Sequence, residues 1–94
     1  MKKGYVYILT NKPKGTLYIG VTSHLSQRIY QHRCGQIAGF SRRYNLKQLV
    51  YVEVFDQLEE ACLRELRLKK WKRAWKIELI EQQNPNWQDL SHTL

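Results

Sequence analysis

Two short runs of large apolar residues, YVYILT from Tyr5 and TLYIGV from Thr16, flank the polar stretch NKPKG. Alternation around a Lys/Pro/Gly turn predicts two β-strands joined as a hairpin. The next segment, TSHLSQRIYQHR, places Leu25, Ile29 and Tyr30 at helical spacing after Thr22 and Ser23, residues suited to capping, and predicts a helix over about 24–33. CGQIAGFSRRYN has no period and reads as a loop carrying Arg42 and Arg43 towards solvent. KQLVYVEVF, β-branched and aromatic, predicts a third strand over about 48–55. From Asp56, itself a capping type, DQLEEACLRELRLKKWKRAWK is helical for some twenty residues, and IELIEQQ continues it or begins a further helix. NPNWQDL ends the pattern, because Pro85 disfavours helix at Asn84, while Trp87 and Leu90 can fold back onto the core. The order β-β-α-β-α, with a last helical piece, predicts an α+β fold in which a small sheet with at least one antiparallel pair is covered by helices.

Ninety-four residues support one domain, spanning 1–94, with room for a single core. The apolar fraction of 43% predicts a folded chain rather than a disordered one. Sixteen Lys and Arg against eight Asp and Glu give a net charge of +8, which on so small a surface creates a positive potential suited to a polyanion such as nucleic acid. Two cysteines, Cys34 and Cys62, do not make a disulfide framework and point to reduced thiols in a cytoplasm. The N-terminal apolar run is too short for a signal-peptide core, and no run reaches the roughly 18 residues of a membrane span.

Polar groups interrupting an apolar face mark candidate chemistry. At 100° per residue Leu58, Ala61, Cys62 and Leu66 share one side of the long helix, and Glu65 falls in the same arc. A carboxylate so placed needs a cation, a metal or hydrogen-bond donors; Lys69, one turn on, is the simple partner. Arg28 and His32, four apart, project from one face of the first helix and can address one ligand. Tyr7 and Tyr18 carry hydroxyls that need partners if buried. Lys69, Lys70, Lys72, Arg73 and Lys76 surround Trp71 and Trp75, a pattern that tracks a phosphate backbone or forms a solvated helix end with indoles in the core. The histidines and cysteines lack zinc-site spacing, and neither a P-loop nor a dinucleotide fingerprint is present.

Taken together, Tyr5-Val6-Tyr7, Tyr18-Ile19-Gly20, Arg28 with His32, Arg64-Glu65 before LRLKKW, and NPNWQDL occur in an order that resembles the GIY-YIG nuclease domain, and most closely its small stand-alone bacterial members. The likeness covers nearly the whole chain; Tyr5 stands where the family usually has Gly. It implies a three-stranded antiparallel sheet flanked by helices and metal-assisted hydrolysis of a nucleic-acid phosphodiester. On the resemblance, Tyr7 activates or positions the attacking water, and Tyr18 bonds that water or the phosphate. Arg28 neutralises phosphate charge, and His32 assists proton transfer or orients the tyrosine. Glu65 ligates one divalent cation, Mg²⁺ or Mn²⁺, and Asn84, or Asn86 in an alternative register, completes the set.

Arg42, Arg43, Lys69, Lys70, Lys72 and Arg73 are the expected nucleic-acid contacts, with DNA favoured over RNA and repair or processing as the setting. Target choice then rests on the basic surface or on a protein partner. Two other readings compete: a nucleic-acid-binding module of the same fold with weak catalysis, and a subunit using Trp71, Trp75 and Trp87 as anchors.

Overall fold

The computed structural model describes residues 2–37 and 39–94. Strands β1 (Gly4–Thr10), β2 (Leu17–Thr22) and β3 (Gln48–Phe55) form one antiparallel sheet in the order β2-β1-β3. Helices α1 (Leu25–Arg33) and α2 (Phe40–Arg43) lie between β2 and β3; α3 (Leu58–Lys69), α4 (Arg73–Gln83) and a 3-10 turn over Leu90–Thr93 follow. The α+β architecture and the three antiparallel strands agree with the expectation from sequence.

The period of two along β1 sorts its side chains onto opposite faces. Val6 and Ile8 join Ile19, Val50 and Tyr51 beneath Ala61 and Leu68 of α3, Ile80 of α4 and Trp87. Tyr7 and Leu9 point the other way and pack with Leu25 and Ile29 of α1 and with Leu46 and Leu49. A register shift after Ile8 leaves Val50 unpaired, so that Val50 and Tyr51 both serve the α3 face. At the start of β1, Gly4 permits close approach of α3, since a Cβ there would lie 2.9 Å from Leu58 Cα.

The long helix expected from Asp56 is two helices. Lys70 and Trp71 close tight turns onto Arg67 and Leu68, and Lys72 is extended at φ −63° and ψ 149°. No glycine or proline marks this break. Trp71 packs on the α3-side core, meets Trp75 edge-on, and lies 5.1 Å beneath the Arg64 guanidinium, which forks onto Glu53. These contacts outweigh the propensity of a continuous helix. The phase of α3 also differs from expectation: Ala61 and Leu68 are buried, while Leu66 is exposed. Full burial of a leucine such as Leu68 contributes about 1.5–3 kcal/mol, which sets the seam of the helix.

Capping follows another pattern than expected. α1 begins after His24 and α3 after Gln57, neither with a side-chain cap; the Thr22 hydroxyl instead accepts from the His24 amide. Arg42 and Arg43, expected in a loop, form the end of the one-turn α2, whose chain reverses at Asn45 with φ +59°. Ala38, in the same expected loop, lies outside the described residues.

The outer edge of β3 is covered by side chains. Asp89 accepts from the Leu49 amide, Asn84 donates to the Val50 carbonyl, and Gln83 bonds both backbone groups of Val52. These contacts satisfy an edge that otherwise invites another strand. The C-terminal segment wraps that edge, with Trp87 buried on one face of the sheet and Leu90 packed on the other, as the fold-back reading expects.

Candidate active site

Tyr7 from the central strand, Tyr18 from β2, and Arg28 and His32 from α1 meet on one face of the sheet. Across the ladder Tyr7 faces Gly20 and Leu9 faces Tyr18, so both tyrosines emerge on the side covered by α1. A Cβ at position 20 would overlap the Tyr7 ring at Cζ and Oη, so only glycine gives the phenol its place. The Tyr7 and Tyr18 rings are 6.3 Å apart, and each meets the His32 imidazole edge-on at 5.6 and 5.5 Å.

The hydroxyl of Tyr7 lies 2.9 Å from His32 Nε2, and His32 Nδ1 lies 2.8 Å from Ser41 Oγ. All three residues are buried. Ser41 comes from α2 and was not singled out by the sequence; nothing in a loop without period distinguishes it from other serines. With the imidazole proton on Nδ1, Ser41 accepts and Nε2 is left to accept from Tyr7.

Burial is the main reason the Tyr7 hydroxyl is held well above the ordinary tyrosine range; Tyr18 adds to the rise, and the neighbouring Arg28 guanidinium opposes it. His32 is pushed below its usual value, first by burial and then by the Arg28 charge. Free phenolate at Tyr7 is therefore disfavoured, while neutral imidazole is favoured.

Beside this cluster a cavity of about 360 Å³ opens between α1 and α3. Arg28 and Gln31 form one wall, Leu58 and Cys62 the other, and Thr22 and Ser23 one end. Glu65 follows Cys62 by three residues on α3, on the same side of that helix, but is not among the residues lining the cavity. Its side chain is 13% exposed and pairs with Lys69 at 3.2 Å, the simple partner weighed above. Among the described residues no group of three or more His, Cys, Asp or Glu side chains is arranged to hold a metal. A lone shielded carboxylate fits Mg²⁺ or Mn²⁺ only as a cation that keeps its waters and shares substrate oxygens.

Asn84 is not brought to this cluster. At the end of α4 it donates to Val50 O at 3.1 Å and Gln88 O at 2.8 Å, and its Oδ1 accepts from Gln88 N at 3.0 Å. Both hydrogens of its amide are engaged with backbone on the β3 side of the sheet, which gives it a scaffolding position; Asn86 is exposed.

The expected nucleic-acid contacts divide. Arg42, Arg43, Lys69, Lys70, Lys72 and Arg73 are all exposed. Arg73, however, donates to the carbonyls of Lys14 at 2.5 Å and Gly15 at 2.7 Å, strapping the hairpin turn to α4, and Lys72 lies 5.4 Å over the Trp75 ring. Trp87 is core, Trp71 half-buried and Trp75 half-exposed. No helix among the described residues is long and apolar enough to cross a membrane.

A three-stranded antiparallel sheet with paired tyrosines on adjacent strands, and an arginine and histidine on the following helix, defines the class. The chain belongs to the GIY-YIG family: residues 3–78 match that family's profile, described as the GIY-YIG catalytic domain. Within it the chain is similar to UPF0213 proteins. One from Staphylococcus saprophyticus is 39% identical over 82 residues, covering 87% of this chain and 99% of that protein. Another, from Syntrophus aciditrophicus, is 40% identical over 86 residues, covering 90% and 97%. The solution NMR structure of a UPF0213 protein from Bacillus halodurans superposes with a TM-score of 0.59 at 31% identity, covering 93% of this chain and 92% of that one.

Proposed function

We infer that this protein is a divalent-metal-dependent nuclease that hydrolyses phosphodiester bonds, with DNA as the favoured substrate and repair or processing as its setting. The observation that carries the reading is the buried Tyr7–His32–Ser41 chain beside Tyr18 and Arg28. A water against Tyr7 donates to the phenol oxygen while the phenol proton is donated to His32 Nε2. As the water oxygen bonds to phosphorus and the P–O bond to the departing oxygen breaks, the water proton passes to Tyr7 and that of Tyr7 passes to His32, while the departing alkoxide takes a proton from solvent. The tyrosine thus relays a proton without becoming phenolate, which suits its raised pKa. Arg28 forks onto the phosphate oxygens as negative charge builds there, and Tyr18 donates to the phosphate. Glu65 is the residue that would hold a Mg²⁺ or Mn²⁺, which when bound would supply charge stabilisation to the departing oxygen. To do so Glu65 would exchange Lys69 for the cation, so affinity for metal without substrate would be weak.

The reading is tested with labelled single-stranded, duplex, flapped and branched DNA and with RNA, in Mg²⁺, Mn²⁺ or EDTA. Wild type is compared with Glu65→Ala and Tyr7→Phe. Metal-dependent cutting by wild type, lost in both variants while binding persists, supports the nuclease. Binding without cutting under every condition overturns it in favour of a nucleic-acid-binding module. That second reading is favoured by one observation: Tyr7 has no exposed surface in the free protein.

A further inference from the structure

Beside the candidate site, α2 and the residue that closes it present two large aromatic rings to solvent. Phe40 is 48% and Tyr44 45% exposed, and the two belong to one short aromatic cluster rather than standing singly on the surface. Their rings are 4.7 Å apart, and Phe40 in turn lies nearly parallel to Tyr18, at 21° and 6.5 Å. The surface is therefore continuous with the site. Arg42 and Arg43 flank it, with the Arg43 guanidinium 5.8 Å from the Tyr44 ring centre, and no acidic residue lies in the turn.

We propose that Phe40 and Tyr44 form a stacking platform for an unpaired nucleobase next to the phosphate held at Arg28 and Tyr18. This deepens the nuclease reading and rests on it for the position of that phosphate. An exposed ring offers a π-face that any base can cover, and the two arginines offer cations to the adjoining phosphates. In a continuous duplex both faces of a base are already stacked on its neighbours, so the platform gains a partner only where the strand is open. Ser41, between Phe40 and Arg42, is the residue that bonds His32, so one helical turn presents the platform and supports the proton relay. Substrate choice and proton transfer are thereby tied to the same few residues.

The full chain is titrated in EDTA, at fixed salt, with a single-stranded oligonucleotide carrying one 2-aminopurine and with the same sequence as a duplex. Affinity for the single strand exceeds that for the duplex, and 2-aminopurine fluorescence changes on binding. Phe40→Ala and Tyr44→Ala each weaken single-strand binding by roughly 5- to 150-fold, the range of one lost base–aromatic stack. Phe40→Trp retains binding, and unfolding temperatures confirm that the variants fold. Equal affinity for both forms, or single-strand binding unchanged in the double alanine variant, overturns the platform. Binding of neither form also overturns it and leaves the rings to a protein partner. Cleavage in Mg²⁺ or Mn²⁺ is measured separately. Stacking without cleavage refutes the nuclease and leaves the platform standing; cleavage indifferent to both aromatic substitutions refutes the platform and leaves the nuclease standing.

Discussion

Replacing Gly20 with alanine probes how tightly the sheet fits the Tyr7 phenol. The added methyl would overlap Cζ and Oη of Tyr7 and come within 2.9 Å of Cε1. The ring has little freedom to yield, because it is fully buried against α1 and its hydroxyl is bonded to His32. Overpacking of this kind costs about 1–3 kcal/mol. In a domain of this size each kcal/mol corresponds to about 4–8 °C, so Tm falls by roughly 4–24 °C. On the proposed nuclease reading, a shift of the hydroxyl by about 1 Å would also slow cleavage on the order of 100-fold. Thermal unfolding followed by circular dichroism, and cleavage rates at a temperature where both proteins are folded, measure the two effects. The same substitution in a Tyr7→Leu background provides the control: with the ring removed, alanine at position 20 has room and costs little. A wild-type Tm for Gly20→Ala, or an equal loss in the two backgrounds, refutes the reasoning.

The lowered pKa of His32 means that its neutral form is preferred in the folded state. Its contribution to stability is complete above the unfolded value of about 6.5 and is lost as pH falls through the folded one, so His32→Gln flattens the decline of Tm on the acid side relative to wild type. Ser41→Ala strips Nδ1 of its partner, lowering cleavage and altering its pH profile, and Ser41→Thr restores both if its hydroxyl reaches the same nitrogen; an unaltered profile in Ser41→Ala refutes the relay. Asn84→Ala removes three hydrogen bonds to backbone and reduces stability in urea unfolding by about 2–4 kcal/mol. Arg73→Ala frees the hairpin turn, and the amides around Lys14 and Gly15 then exchange faster with solvent.

The strands were legible because a period of two and a turn of polar residues need only local chemistry, and the register then places Tyr7 and Tyr18 on one face without further information. Arg28 and His32 were legible as a pair because four residues is one helical turn. The break at Lys70–Trp71–Lys72 was not, since its causes are tertiary: a tryptophan seated on the core and under Arg64. The burial of Leu68 in place of Leu66 has the same origin, in the line along which α3 meets the sheet. Ser41 was silent because its partner is nine residues away, across a segment without period. Asn84 was read through its family position, whereas its amide is engaged with backbone carbonyls that no sequence pattern reveals.

The strand order β2-β1-β3 also assigns the two tyrosines different clocks. β1 is bonded on both sides, so the peptide groups around Tyr7 become free only when two ladders separate, an event close to global unfolding. Tyr18 belongs to a strand with a ladder on one side, whose opening demands far less. Deuterium uptake should therefore be slow at Tyr7 and faster at Tyr18. One half of the pair is anchored by backbone bonds on both sides for as long as the molecule is folded; the other sits on a strand whose backbone opens and closes many times within that lifetime.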